Sequence, residues 1–237
     1  MSDRKLALVV GANRGIGLGV VKEFLAHGWD VIATARQPVE ATDLNALARQ
    51  SPGRVRVAKL EMNDPADLDA FAASFGKGAF AGVVLDVALI NAGVSGPSHR
   101  SANEATEAEI GALMTTNAIA PIRLARGLAS HVRAGTGVVA FTSSIMGSVA
   151  LNAGGHELYR ASKAALNSLA RGLYAELVGR KLTLLSLHPG WVRTDMGGSS
   201  AAVSVEDSAH GMVDVMVKQQ GKQHHAFIDY QGKEMAW

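Results

Sequence analysis

Tyr159 and Lys163 stand four residues apart, separated by Arg160, Ala161 and Ser162. On a helix that spacing puts both side chains on one face. A free phenol titrates near about 10 and a neighbouring cation favours the phenolate, so the lysine would draw the tyrosine toward working pH and equip the pair for proton transfer. An ordinary surface tyrosine–lysine pair has the same spacing, so other residues must decide. A second constellation, Gly11-Ala12-Asn13-Arg14-Gly15-Ile16-Gly17, follows the first apolar run and opens a helical pattern. Its spacing is G-x-x-x-G-x-G; Val20 occupies the position where a G-x-G-x-x-G pattern starting at Gly15 would need glycine. The physics is shared: glycines allow a tight turn and close backbone approach, and a helix N-terminus offers unpaired N–H groups to a pyrophosphate. A glycine-rich turn without a ligand is the alternative.

The elements that must position these residues follow from periodicity. Short β-branched runs at 5–10, 31–35, 55–60, 83–90, 138–142, 182–188 and 226–229 alternate with helical patterns at 17–27, 43–50, 65–75, 107–133, 158–179 and 205–219. That alternation predicts an α/β fold: one domain over residues 1–237, a doubly wound, Rossmann-like parallel sheet with helices on both faces. Residues 1–140 would mainly bind nucleotide, and 141–237 would carry catalysis and substrate. Within 158–179, Leu158, Leu166, Leu169, Leu173 and Leu177 recur at helical steps, which predicts a core stripe with Tyr159 and Lys163 on a neighbouring side. The least regular stretches, 95–103, 145–157 and 197–204, follow predicted strands and are the expected walls of a binding crevice.

Composition narrows the classes. With 237 residues, 48% hydrophobic and 19% charged, the chain can bury a core unaided. Cysteine is absent, which rules out disulfides, thiol nucleophiles and cysteine–metal clusters. A net charge of +2 without a Lys/Arg block, and 5% aromatic residues, give little basis for nucleic-acid binding. The N-terminal Met1-Ser2-Asp3-Arg4-Lys5 leads into an apolar run too short for a signal segment or a membrane span, so a cytoplasmic protein is expected. At the end of the second strand an acidic residue would bind a ribose 2′-OH, whereas arginine accommodates a 2′-phosphate. Here Arg36 follows Ala35, and Arg14 adds a second cation, so NADP(H) is the expected cofactor. His224-His225 lacks partners at metal-site spacing and reads as a solvated pair.

Taken together, the glycine turn, Asn91-Ala92-Gly93, Asn117, Ser143-Ser144, Tyr159/Lys163 and Pro189-Gly190, in this order, make the chain resemble the short-chain dehydrogenase/reductase family. The stretches 159–167, 189–198 and 229–237 are most similar to the sniffer and C-factor types of carbonyl reductase. The resemblance implies a catalytic tetrad of Asn117, Ser144, Tyr159 and Lys163, with Tyr159 donating a proton, Ser144 bonding the substrate oxygen, and Lys163 lowering the phenol's pKa while holding the nicotinamide ribose. It implies cofactor contacts from Gly11, Asn13, Arg14, Gly15, Ile16, Gly17, Arg36, Asn91, Ala92, Gly93, Tyr159, Lys163, Pro189, Gly190, Val192 and Thr194. Glu61 and Met62 stand where the family usually places an aspartate against adenine, and Val10 replaces a threonine that often braces the turn. No metal is implied. The expected partner is a small carbonyl or alcohol, probed by an apolar pocket of Met146, Val149, Leu151, Trp191 and Met196, in a homodimer or homotetramer. The alternative is an NADP(H)-binding signalling protein of C-factor type with little or no turnover.

Three residues invite local readings. Pro121 cannot donate a backbone hydrogen bond, so a helix over 107–133 should kink there and leave the Asn117 carbonyl without its i+4 donor; in the family that carbonyl holds a relay water. His156 is a loop histidine within reach of substrate. Trp191 either walls the nicotinamide pocket or packs.

Overall fold

A computed structural model describes residues 4–237; residues 1–3 of the N-terminal stretch lie outside it. Seven strands form one parallel sheet in the order β3-β2-β1-β4-β5-β6-β7. They are β1 (Leu6–Val10), β2 (Asp30–Ala35), β3 (Val55–Lys59), β4 (Val87–Ile90), β5 (Val138–Thr142), β6 (Thr183–His188) and β7 (His225–Asp229). The central strands are buried almost throughout, as a parallel sheet covered on both faces requires.

Helices α1 (Gly15–Ala26), α2 (Thr42–Gln50) and α7 (Val205–Lys218) cover one face. On the other lie α3 (Pro65–Ala73), α5 (Ala120–Leu128) and α6 (Glu157–Glu176), with α4 (Glu107–Met114) leading into α5. The strand order reverses between β1 and β4, and the loops after these strands, β5 and β6 open at the same end of the sheet. In such a fold that end is where ligands sit.

The predicted single helix over 107–133 is three pieces. Between α4 and α5 the backbone widens into a π-helical turn, Thr115–Ile119, in which the Ala120 N–H donates to the Thr115 carbonyl five residues back. One step on, the same spacing would pair the Thr116 carbonyl with residue 121, where proline has no N–H. The expected kink is therefore a change of register in the turn just before Pro121. A π turn inside a helix frequently marks a functional site, and this one carries Asn117.

The buried face of α6 also differs from the leucine stripe. It comprises Ser162, Lys163, Leu166, Asn167, Ala170 and Leu173, whereas Leu169 is exposed and Leu158 and Leu177 are only partly covered. Lys163 thus lies on the buried face and not beside it. Polar groups can sit there because each finds a partner, as described next. His225 corrects another expectation: it is buried between Tyr174 and Trp237 with Nε2 3.3 Å from Ser186 Oγ, because as the first residue of β7 it points into the sheet packing. Its neighbour His224 bonds Gln219 at 2.8 Å.

Candidate active site

The catalytic candidates converge where β4, β5 and α6 meet. Lys163 is buried and its Nζ donates to the Thr142 carbonyl at 2.8 Å, which ties α6 to the end of β5. Tyr159, one helical turn earlier, has its ring centroid 5.7 Å from that Nζ. Its phenol lies near enough to Ser144 for the serine to favour the ionised form. Ser144 is the N-cap of a short 3-10 turn, Ile145–Gly147, and its Oγ accepts the Met146 N–H at 3.1 Å. Gly147 is required there: a Cβ would stand 2.9 Å from the Lys163 carbonyl and from Asn167 Nδ2. Ser143 points the other way, donating to Asn167 Oδ1 at 2.7 Å, in keeping with a strand-end hydroxyl outside the chemistry.

Asn117 is fully buried, and its carboxamide is fully used. Oδ1 accepts the Val94 N–H at 2.8 Å, while Nδ2 donates to the Val94 carbonyl at 2.8 Å and to Ser162 Oγ at 3.0 Å. Ser162 in turn donates to the Tyr159 carbonyl at 2.8 Å. The asparagine side chain therefore clamps the loop after β4 to the catalytic helix. Gly93 passes close to both groups, since a Cβ there would lie 3.2 Å from Asn117 Oδ1 and 3.4 Å from Lys163 Nζ.

The expected electrostatics need correcting. Burial pushes Tyr159 up to about 12, and Ser144 only partly opposes it. Burial also pushes Lys163 down to about 8. Desolvation is the largest cause at both groups, and at Tyr159 it favours the neutral, protonated phenol. That is the protonation state of a general acid.

The nucleotide side is built around the glycine turn. Gly11 has φ +77 and Gly15 φ +54, conformations that suit glycine, and a Cβ on Gly17 would stand 2.1 Å from the Gly11 carbonyl. Asn91 braces this turn: Nδ2 donates to the Gly11 carbonyl at 3.1 Å and Oδ1 accepts from Thr142 at 3.0 Å. Ala92 packs against Gly11, 3.0 Å from where its Cβ would be. The hydroxyl missing at Val10 is supplied across the sheet, because Thr34 Oγ1 accepts the Gly11 N–H at 3.3 Å. The start of α1 has neither a side-chain cap nor an acidic residue in its first turn, so its N–H donors are left for an anion, and a dinucleotide diphosphate fits that cradle. Asn13 and Arg14 are exposed on the turn, and Ile16 is half-buried.

The two arginines differ. Arg36 is exposed after β2 with no acidic partner among the described residues, free to meet a 2′-phosphate. Arg14 is ion-paired with Asp195 in the loop after β6. Glu61 turns its carboxylate back to the Asn63 N–H at 3.0 Å, and Met62 is buried in the core. Beyond β6, Pro189 accepts from Ser208 Oγ at 2.7 Å. A Cβ on Gly190 would meet the Tyr230 ring at 3.0 Å. Val192 pairs with Val203, and Thr194 Oγ1 accepts the Gly197 N–H at 3.1 Å with its methyl against Gly15. Trp191 donates to the Gly197 carbonyl at 2.9 Å and remains 56% exposed, so it is a rim residue rather than a core one. Val149, Leu151 and Met196 are exposed with it.

Sequence reasoning missed Ser162, Asn167 and Asp195. Asn167 was findable: it continues the row Tyr159, Lys163 at four-residue steps and is polar on a buried face. Among the described residues no cluster of His, Asp or Glu is arranged to hold a metal, and no helix is long and apolar enough to cross a membrane.

With the site assembled, comparison with known proteins gives it a class. The family described as short chain dehydrogenase matches residues 5–205. This chain belongs to that family. The carbonyl reductase from Pseudomonas aeruginosa PAO1, crystallised in complex with NADP, is 40% identical and superposes with a TM-score of 0.89 over 99% of this chain and 100% of that one. Carbonyl reductase Sniffer of D. melanogaster is 30% identical, with a TM-score of 0.87 over 99% of each chain. The C-signal protein of Myxococcus xanthus is 39% identical over 155 residues, 65% of this chain and 93% of that protein. The likeness to sniffer-type carbonyl reductases read from the sequence therefore extends to the fold.

Proposed function

We propose that this protein reduces a ketone or aldehyde to an alcohol with NADPH. Bound NADPH supplies the hydride. The glycine turn and the α1 N-terminus would hold its diphosphate, Arg36 its 2′-phosphate, Lys163 the nicotinamide ribose, and Thr194 with the Val192 main chain the carboxamide. Ser144 hydrogen-bonds the carbonyl oxygen of the substrate, and Tyr159 delivers its proton to that oxygen as charge develops. Lys163, fixed by the Thr142 carbonyl, and Asn117, fixed by Val94 and Ser162, keep the helix carrying Tyr159 in register with both loops.

The observation that carries this reading is the convergence of Tyr159 with buried Lys163, whose Nζ lies 5.7 Å from the tyrosine ring and is tied to the Thr142 carbonyl at the end of the strand that leads into Ser144. Tyr159→Phe removes one oxygen and its proton while keeping the ring. It should cut NADPH-dependent carbonyl reduction by about 10²–10⁴-fold, the usual contribution of a positioned proton donor, and leave NADPH binding nearly intact. Most of the turnover surviving in that variant would show that Tyr159 is not the proton donor. NADPH bound but never oxidised by any carbonyl compound would instead favour a nucleotide-binding signalling protein.

A further inference from the structure

Two loops leave the catalytic residues and meet again at the mouth of the site. One runs from Val94, clamped to Asn117, to Thr106 at the start of α4. The other runs from Ser144 to His156 at the start of α6. They join at two points: Arg100 Nη1 lies 3.3 Å from His156 Nε2, and the Ala102 N–H donates to Glu157 Oε2 at 2.8 Å. Both Arg100 and His156 adopt left-handed backbone conformations, at φ 62 and φ 52, among only four non-glycine residues with positive φ in the described residues. Such strain persists where surrounding contacts over-determine it. Here it accompanies the Arg100–His156 contact that joins the two loops.

The chemistry of the pair is specific. Arginine has no acceptor, so His156 Nε2 must accept and its ring proton resides on Nδ1. That leaves an imidazole N–H and most of the guanidinium fork unengaged. No carboxylate lies within ion-pair distance of Arg100 among the described residues; Glu157 is occupied by the Ala102 N–H. Arg160, on the first turn of α6, adds a second cation, spent on the carbonyls of Gly154 and Gly155 at 3.0 and 2.8 Å. Arg100 and Arg160 both hold His156 below the usual histidine range, after burial, with no acidic group opposing them. The charges that act on His156 are both cationic. In the loops after β4, β5 and β6, Val94, Val149, Leu151, Trp191 and Met196 expose apolar surface.

We infer that Arg100, with His156 as its neighbour, receives an oxyanion on the substrate, so the preferred carbonyl compounds carry a carboxylate or phosphate at the far end of an apolar body. This rests on the reductase reading above and specifies its substrate class. A planar fork of donors matches both groups, and an apolar rim with one cationic corner orients such a molecule with its carbonyl toward Tyr159.

The test compares a medium-chain oxo acid, its methyl ester and a keto phosphate monoester of similar length, by initial rates of NADPH oxidation. Wild type should use the acid or the phosphate with a kcat/KM about fivefold to tenfold above the ester, as expected for one partly exposed charge-assisted contact. The separate acid and phosphate arms identify which oxyanion fits. Arg100→Gly removes the charge and relieves the positive φ, so it should fold, raise KM for the anionic substrates by that factor and spare the ester. Arg100→Lys should restore most of the preference. Equal use of acid and ester by wild type, or an equal loss on both in Arg100→Gly, overturns the inference while leaving the reductase reading intact. No oxidation of NADPH with any of the three overturns both.

Discussion

Asp195→Asn should tighten NADPH binding. Arg14 sits on the glycine turn where a 2′-phosphate would approach, yet its guanidinium is ion-paired with Asp195. The phosphate must therefore share or displace that carboxylate. The two side chains are 68% and 78% exposed, so the pair is worth about 0.2–1 kcal/mol, the range for solvent-screened pairs. Releasing it should strengthen NADPH binding by about 1.5- to 5-fold at low salt, fading as ionic strength rises. NADH, which lacks the 2′-phosphate, should gain much less. Arg36 has no competing carboxylate among the described residues, so Arg36→Ala should lose more NADPH affinity than Arg14→Ala. The assay is fluorescence titration of NADPH and NADH into wild type, Asp195→Asn, Arg14→Ala and the Arg14→Ala/Asp195→Asn double variant. An equal gain for NADH, or a gain that persists without Arg14, would refute the competition.

Two further outcomes follow from the same geometry. Gly17→Ala places a methyl 2.1 Å from the Gly11 carbonyl, more than about 1 Å inside a normal nonbonded contact, against backbone that cannot swing away. It should lower Tm by about 2–12 °C and weaken NADPH binding; an unchanged melt would mean the turn is looser than described. Lys163 titrates near about 8 in the fold against its usual 10.5, so between those values the unfolded chain binds more protons and stability should rise with pH. Tyr159, raised from 10.0 to about 12, opposes this only above pH 10. Urea midpoints measured from pH 8 to 10 should climb in wild type and climb less in Lys163→Met, and parallel curves would show that Lys163 is not the group responsible.

The sheet was legible because parallel strands buried on both faces are short β-branched runs, and all seven fall within a few residues of expectation. The motif residues at their carboxyl ends were legible for the same reason: each directly follows such a run. What escaped depended on backbone register or on distant partners. The π turn at 115–119 has no hydrophobic period of its own, so the helix over 107–133 read as continuous. The α6 stripe misled because a polar residue with a buried partner is indistinguishable, in a one-dimensional pattern, from one facing water. Lys163, Asn167 and Ser162 face Thr142, Gly147 and Asn117, groups 20 to 45 residues away. Arg14 and Asp195 are 181 residues apart, and nothing local to either marks the pair.

The correction to the tyrosine's electrostatics changes what the pair is suited to do. A lysine that merely lowered the phenol's pKa would favour phenolate, which is the base an alcohol oxidation needs. Burial instead favours the neutral phenol. The proposed reduction consumes a proton at the carbonyl oxygen, and a neutral phenol beside Ser144 would carry one. Lys163, drawn down to about 8, sits close enough to neutral pH to exchange its own proton readily. Its fixed bond to the Thr142 carbonyl keeps it in place whether or not it is charged, since a neutral amine still donates. In the proposed reduction, desolvation rather than attraction between the two side chains is what would suit the pair to hold a proton.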